Sequence, residues 1–167
     1  MNTRVYIRQP ILGDQDEFLS AVDKSRALHH PWISPPDTPM KFRVYIEHMD
    51  LPDNSAFLVC RRGTDAFVGV VNITNIVLGP FRSGYLSYYA FADHARQGLM
   101  QQGLCAVIRY AFKELKLHRL EANIQPANVP SLALAASCGF AKEGYSPRYL
   151  KIGGRWRDHE RWAILAS

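Results

Sequence analysis

The stretch best suited to hold a ligand is His94-Ala95-Arg96-Gln97-Gly98-Leu99-Met100-Gln101. A strand read at Gly84 to Phe91 runs into it and an amphipathic helix leaves it, so Gly98 marks a turn at a helix N-terminus. The first backbone N–H groups of a helix have no intrahelical partner, and the positive end of the helix dipole lies with them. Together they make an anion site, suited to phosphate. A second polar cluster, Asn128-Val129-Pro130-Ser131, has the composition of a helix start, in which Asn128 and Ser131 could serve only as capping residues. Cys60, Cys105 and Cys138 show no paired spacing, so neither a disulfide framework nor a thiolate metal site is indicated. They read as reduced, mostly buried thiols.

The elements that must position these residues follow from periodicity. Leu104, Val107, Ile108, Ala111, Phe112 and Leu115 recur at three- and four-residue spacing, the apolar stripe of a helix that ends near Leu115. Before it, Arg4 to Arg8 alternates as a short strand, and Asp14 opens a helix with Glu17 in capping-box position and Phe18, Leu19 and Val22 inward. The prolines between His30 and Pro39 make that segment a loop, and Met40 to Met49 a second helix. Ser55 to Arg61 and Phe67 to Ile76 read as strands joined through Arg62-Gly63-Thr64-Asp65. Leu117 to Ile124 is a strand, and the helix entered at Asn128 ends near Cys138-Gly139. Phe140 to Ile152 and Trp156 to Leu165 form a hairpin around Gly153-Gly154. The consequence is an α/β (α+β) chain: a mixed, mostly antiparallel twisted sheet of about seven strands flanked by about four helices.

The 167 residues, 47% hydrophobic and 21% charged, suit one globular domain over residues 1–167. Arg4 and Arg8 interrupt the early apolar residues, which argues against a signal peptide, and no apolar run is long enough to cross a bilayer. A cytoplasmic protein without membrane partners is expected. The excess of 20 Lys and Arg over 15 Asp and Glu favours an anionic ligand, but it is not gathered into a basic stripe, so no direct nucleic-acid contact is expected.

Several segments resemble the GNAT superfamily of acyl-CoA-dependent N-acyltransferases, most closely its ribosomal-protein N-terminal-alanine acetyltransferase branch. They are Gly84-Tyr85 through Gly98, Tyr110-Ala111-Phe112 with Leu117 to Ala122, Asn128-Val129-Pro130-Ser131, Gly139-Phe140 with Glu143-Gly144, and Gly154-Arg155-Trp156-Arg157-Asp158-His159. The resemblance covers nearly the whole chain and is weakest before Ser55. It implies the GNAT fold, acetyl-CoA as co-substrate and no metal. The pantetheine arm would run along Tyr88, Tyr89, Ala90 and Phe91 as an added strand, while the strand after the helix splays away. Arg96, Gln97, Gly98, Leu99, Met100 and Gln101 would receive the pyrophosphate, with Asn128 also on the cofactor. Of the family's six-residue phosphate motif only the central Gly98 is kept. Ala95 lacks the usual polar side chain, and Met100 replaces a small residue.

An amine attacking a thioester needs a neutral nitrogen, a donor for the oxygen that gains charge, and help for the departing thiolate. By resemblance, the oxygen meets a backbone N–H of the Tyr88 to Phe91 strand. The tyrosine that many relatives use at the leaving thiol is Ala135 here, and Ser131 is its substitute. Glu121 is a candidate base, or its carboxylate turns to residues around Arg119 or to solvent. His94 and His118 suit surface or capping roles, and His29, His30 and Trp32 could shape acceptor choice. The resulting expectation is direct acetyl transfer in a ternary complex to a primary amine, most simply a protein N-terminal α-amine, by a monomer or homodimer. A small-molecule amine acetyltransferase and a silent CoA-binding or ribosome-binding module are the rivals.

Overall fold

The computed structural model describes residues 2–167. Its strands are β1 (Val5–Arg8), β2 (Ser55–Arg61), β3 (Phe67–Val77), β4 (Ser83–Ala90), β5 (Arg119–Ile124), β6 (Ala141–Ile152) and β7 (Arg155–Leu165). Its helices are α1 (Gln15–Lys24), α2 (Arg26–His29), α3 (Pro39–Met49), α4 (Leu99–Lys113) and α5 (Val129–Ser137). The seven strands form one sheet in the order β1-β2-β3-β4-β5-β7-β6. Every neighbouring pair is antiparallel except β4 and β5. This is the mixed, mostly antiparallel sheet with flanking helices that the pattern predicts.

The two-residue period of the strands sorts side chains between two cores. Val59, Val68 and Val71 face one way and meet Leu104, Val107, Ile108 and Ala111 of α4, with Ala135 of α5. Leu58, Cys60, Val70 and Phe91 face the other way and meet Phe18 and Val22 of α1 and Phe42 and Ile46 of α3. The central strands, covered on both faces, are accordingly almost wholly apolar. Among the described residues no helix is long and apolar enough to cross a membrane.

Three local expectations need correction. Asp14 does not cap α1 in a box with Glu17. It closes a 3-10 turn, Leu12–Asp14, and its carboxylate accepts from Ile11 N–H at 2.8 Å and from the Arg8 guanidinium at 2.9 and 2.7 Å. A cationic partner outcompetes a helix amide for a buried carboxylate. The chain also makes one more helical turn, α2, where Ser25 interrupts the first helix by donating its hydroxyl to Ala21 C=O. Finally, Cys105 and Cys138 are only half-buried and bring their sulfurs to 3.4 Å across the α4–α5 interface.

Candidate active site

Strand β4 is paired with β5 over only three residues, Ser83, Gly84 and Tyr85 against Arg119, Leu120 and Glu121. Beyond Tyr85 the two strands diverge, and β5 continues on β7 alone. On its other edge, β4 stays on β3 through Ala90, and Phe91 N–H donates to Val68 C=O at 2.8 Å. Hydrogen-bonded and non-bonded pairs alternate along an antiparallel ladder. Tyr89 and Phe91 therefore use their backbone groups on β3, while those of Tyr88 and Ala90 turn toward the split. An extended chain laid there would find strand-like partners.

The split runs into the turn before α4. Arg96 and Gly98 both take left-handed backbone, with φ of 60° and 73°, and Gly98 stands at the N-cap. Among the described residues, no acceptor meets the backbone N–H of any residue from Arg96 to Gln101; the first bonded amide is Gln102, to Gly98 C=O at 3.4 Å. Six successive free donors at a helix start form a nest for an anion. Arg4 straps this turn to β1, its guanidinium donating to Gln97 C=O at 2.6 Å and its N–H to Gln102 Oε1 at 2.9 Å.

Met100 is buried, and its sulfur lies where a Cβ on Gly69 would come within 2.6 Å of it. The missing side chain at Gly69 in β3 thus makes room for the bulk of Met100 beneath β4. Most of the bulk noted at Met100 is thus accommodated inward, and the residue still forms part of the cleft wall.

Across the split, α5 opens with Asn128, whose side chain makes no cap bond. Ser131 Oγ donates to Tyr88 Oη at 3.0 Å, and Tyr88 donates in turn to Ser131 C=O at 2.8 Å. Ser131 therefore faces β4 rather than capping the helix. Burial pushes the Tyr88 phenol up to about 12, with the Ser131 bond opposing it, so it stays protonated near neutral pH.

A cleft of about 350 Å³ joins these parts, from Arg96, Gly98 and Met100 through Ala90 and Ser131 to Trp32 and Ile33. Its wall includes His29, whose Nε2 lies 2.8 Å from Ala90 C=O. A carbonyl only accepts, so Nε2 carries the proton. His29 Nδ1 and Tyr89 Oη are both buried without a partner, and the two rings meet edge to face at 5.2 Å.

Of the residues singled out in the sequence, Tyr89, Ala90, Arg96, Gly98, Met100, Gln101, Asn128 and Ser131 line this cleft. Gln97 and Leu99 do not line it: Gln97 C=O accepts from Arg4, and the Leu99 side chain is buried in the core. Phe91 is directed into the α1–α3 core. Glu121 lies outside the cleft, where it accepts from Arg119 Nε at 2.7 Å, and Arg119 also grips Glu143. His29 and Trp32, expected to shape acceptor choice, do line the cleft, whereas Arg4, Gly69 and the bond of His29 to Ala90 were not foreseen from the sequence. They are distant in the chain from the residues they serve, and no local spacing signals such partnerships.

The Acetyltransferase (GNAT) domain family model matches residues 4–141. The chain belongs to the GNAT acetyltransferase family. It is 45% identical over 97 residues to the [ribosomal protein uS5]-alanine N-acetyltransferase of Escherichia coli (strain K12), a match covering 58% of this chain and 50% of that one. The chain thus aligns with about half the length of that relative. Mycobacterium smegmatis RimJ, solved in complex with CoA-disulfide, superposes with a TM-score of 0.88 at 26% identity, over 97% of this chain and 82% of that one. The spermidine N-acetyltransferase of Vibrio cholerae, solved with CoA and spermine, shares the fold, with a TM-score of 0.83 at 22% identity over 98% and 95%.

A GNAT protein is an acetyl-CoA-dependent N-acyltransferase, and the donor supplies a thioester activated toward amines. The geometry fits that co-substrate in two independent respects. The free amides of the α4 turn match a pyrophosphate, and the unpaired edge of β4 matches an extended amide-bearing arm.

Proposed function

We propose that this chain, acting as one N-acetyltransferase domain over residues 1–167, transfers an acetyl group from acetyl-CoA directly to a protein N-terminal α-amine of the ribosomal-protein-alanine type. The amides of Arg96 to Gln101 hold the pyrophosphate, and Tyr88 holds the pantetheine arm through its backbone. Ala90 N–H donates to the carbonyl oxygen as it gains charge. Ser131 Oγ, positioned by Tyr88, donates to the sulfur as it leaves. A thiol with pKa near 8.5 departs readily, so a hydrogen bond suffices there. Asn128 flanks Ser131 with its side-chain amide free to contact the arm.

The observation that carries the acceptor class is the lining of the cleft. Leu28, Trp32 and Ile33 wall its far end, and among the described residues no Asp or Glu lines it. A polyamine carries several positive charges and calls for carboxylates. An N-terminal alanine presents one amine on a small apolar residue. Such an amine, with pKa near 8, is also partly neutral at physiological pH. The apolar wall equally supports a second reading, a small hydrophobic amine.

Initial rates with alanine- and serine-starting peptides, spermidine and an arylalkylamine, each at saturating acetyl-CoA, test the reading. The alanine peptide is expected to lead and spermidine to trail by at least tenfold. Preference for spermidine would overturn the acceptor assignment.

A further inference from the structure

Acyl transfer makes no use of the two thiols that meet behind the cleft. Cys105 lies on the second turn of α4 and Cys138 at the C-cap of α5, with their sulfurs 3.4 Å apart. At that distance no group stands between them. The two positions are 33 residues apart in the chain, so only the packing of α4 on α5 brings them together. Their other polar neighbours are uncharged, Gln101 C=O at 3.8 Å and Ser137 Oγ at 4.0 Å from Cys138 Sγ. Gln101 also lines the cleft, so the thiol pair adjoins its wall.

Two uses of a thiol pair can be separated. Among the described residues no group of three His, Cys, Asp or Glu could hold a metal ion, so a metal would lack its ligands. Oxidation needs only two sulfurs in contact and a path for a small oxidant. Cys105 and Cys138 both keep part of their surface in solvent, whereas Cys60, the third cysteine, is fully buried on β2 in the α1–α3 core. Burial and the adjoining Cys105 sulfur push the Cys138 thiol up, so it stays protonated near neutral pH. That leaves Cys105 to attack and Cys138 to resolve.

We propose that Cys105 and Cys138 form a dithiol that a hydroperoxide converts to an intramolecular disulfide, clamping α5 to α4. The Cys105 thiolate attacks a peroxide oxygen: a sulfur–oxygen bond forms, the oxygen–oxygen bond breaks, and hydroxide leaves to be protonated by solvent. Cys138 sulfur then attacks the sulfenic acid, the sulfur–oxygen bond breaks, and water leaves with the Cys138 proton. Both sulfurs are oxidised and the peroxide is reduced to water. The sulfurs must close by about 1.4 Å to reach bonding distance. Because α4 begins at the free amides and α5 carries Asn128 and Ser131 at its start, the bond ties together the two helices that flank the cleft. Small thiols reverse it by exchange.

The test treats the purified full chain with hydrogen peroxide, alkylates the remaining thiols and maps the peptides by mass spectrometry. Wild type should lose two hydrogens, show Cys105 linked to Cys138 within one chain, and leave Cys60 alkylated. Its Tm should rise by about 5 °C or more, since the cross-link restrains the unfolded chain, and dithiothreitol should return it to the starting value. Cys60→Ser should behave as wild type. Cys105→Ser and Cys138→Ser should form no link within the chain and show no rise in Tm. Oxidation of Cys105 or Cys138 to sulfinic acid without a link, a link through Cys60 or between two chains, or three thiols that all remain alkylatable would overturn the proposal. A Cys105–Cys138 link with unchanged Tm would overturn the clamp.

Discussion

Tyr88 on β4 and Ser131 on the first turn of α5 are joined twice, hydroxyl to hydroxyl at 3.0 Å and phenol to backbone carbonyl at 2.8 Å. Ala135, by contrast, is fully buried in the core and does not line the cleft. Tyr88→Phe and Ser131→Ala should each lower kcat by about tenfold, equivalent to roughly 1.4 kcal/mol, with little change in KM for acetyl-CoA. The double variant should be no worse than the poorer single one, because the two hydroxyls act as a unit. Additive losses in a double-mutant cycle would separate their roles.

Gly98 is expected to be intolerant. Its φ of 73° strains any L-residue by roughly 1–2 kcal/mol, although a Cβ there would touch only Arg4, at 3.6 Å. Gly98→Ala should therefore fold and bind acetyl-CoA weakly, whereas Gly98→Glu should fold and show no thermal shift with acetyl-CoA. A normal shift for the glutamate variant would move the phosphate site elsewhere.

Gly69 and Met100 form a size-matched pair. A Cβ at Gly69 would lie 2.5 Å from Tyr89 O and 2.6 Å from Met100 Sδ. Gly69→Ala should destabilise by about 1–3 kcal/mol, read as a lower Tm. Adding Met100→Ala should restore only part of the loss, since the carbonyl cannot yield as a thioether can.

The Arg8–Asp14 pair gives a pH-dependent prediction. Burial favours the neutral acid, but the Arg8 guanidinium and Ile11 N–H outweigh it and hold the Asp14 carboxyl below its ordinary value of 3.8. A depressed folded-state pKa contributes stability above the unfolded value and loses it as pH falls through the folded one. Arg8→Met should therefore cost about 1–3 kcal/mol at pH 7 by leaving a buried carboxylate half-satisfied. In urea unfolding the deficit should shrink below pH 3.8. A deficit independent of pH would assign Arg8 a packing role only.

Much of the fold was legible because its signals are local. A continuous apolar run placed β2 at Ser55–Arg61, and the two glycines placed the turn between β6 and β7. The α2 turn was missed because Ser25 breaks the helix by a side-chain bond that has no pattern in the sequence. At the site, Gly98 and its neighbours were legible as a strand-turn-helix signal. Arg4, Gly69 and His29 act across 93, 31 and 61 residues on Gln97, Met100 and Ala90. Only the folded sheet, which lays β1 and β3 beside α4 and α2 over β4, makes those relations visible.

Among the described residues, the three-residue ladder between β4 and β5, extended by Arg82 C=O accepting from His118 and Arg119 N–H, is the strand pairing that joins the β1–β4 and β5–β7 halves of the sheet. A ligand arm lying along Tyr88 and Ala90 would supply missing rungs and act as an eighth strand. Occupancy should thus spread slow hydrogen–deuterium exchange beyond the contacted amides, into β5 and the start of α5. The empty protein would open as two cooperative units, and the loaded one as a single unit.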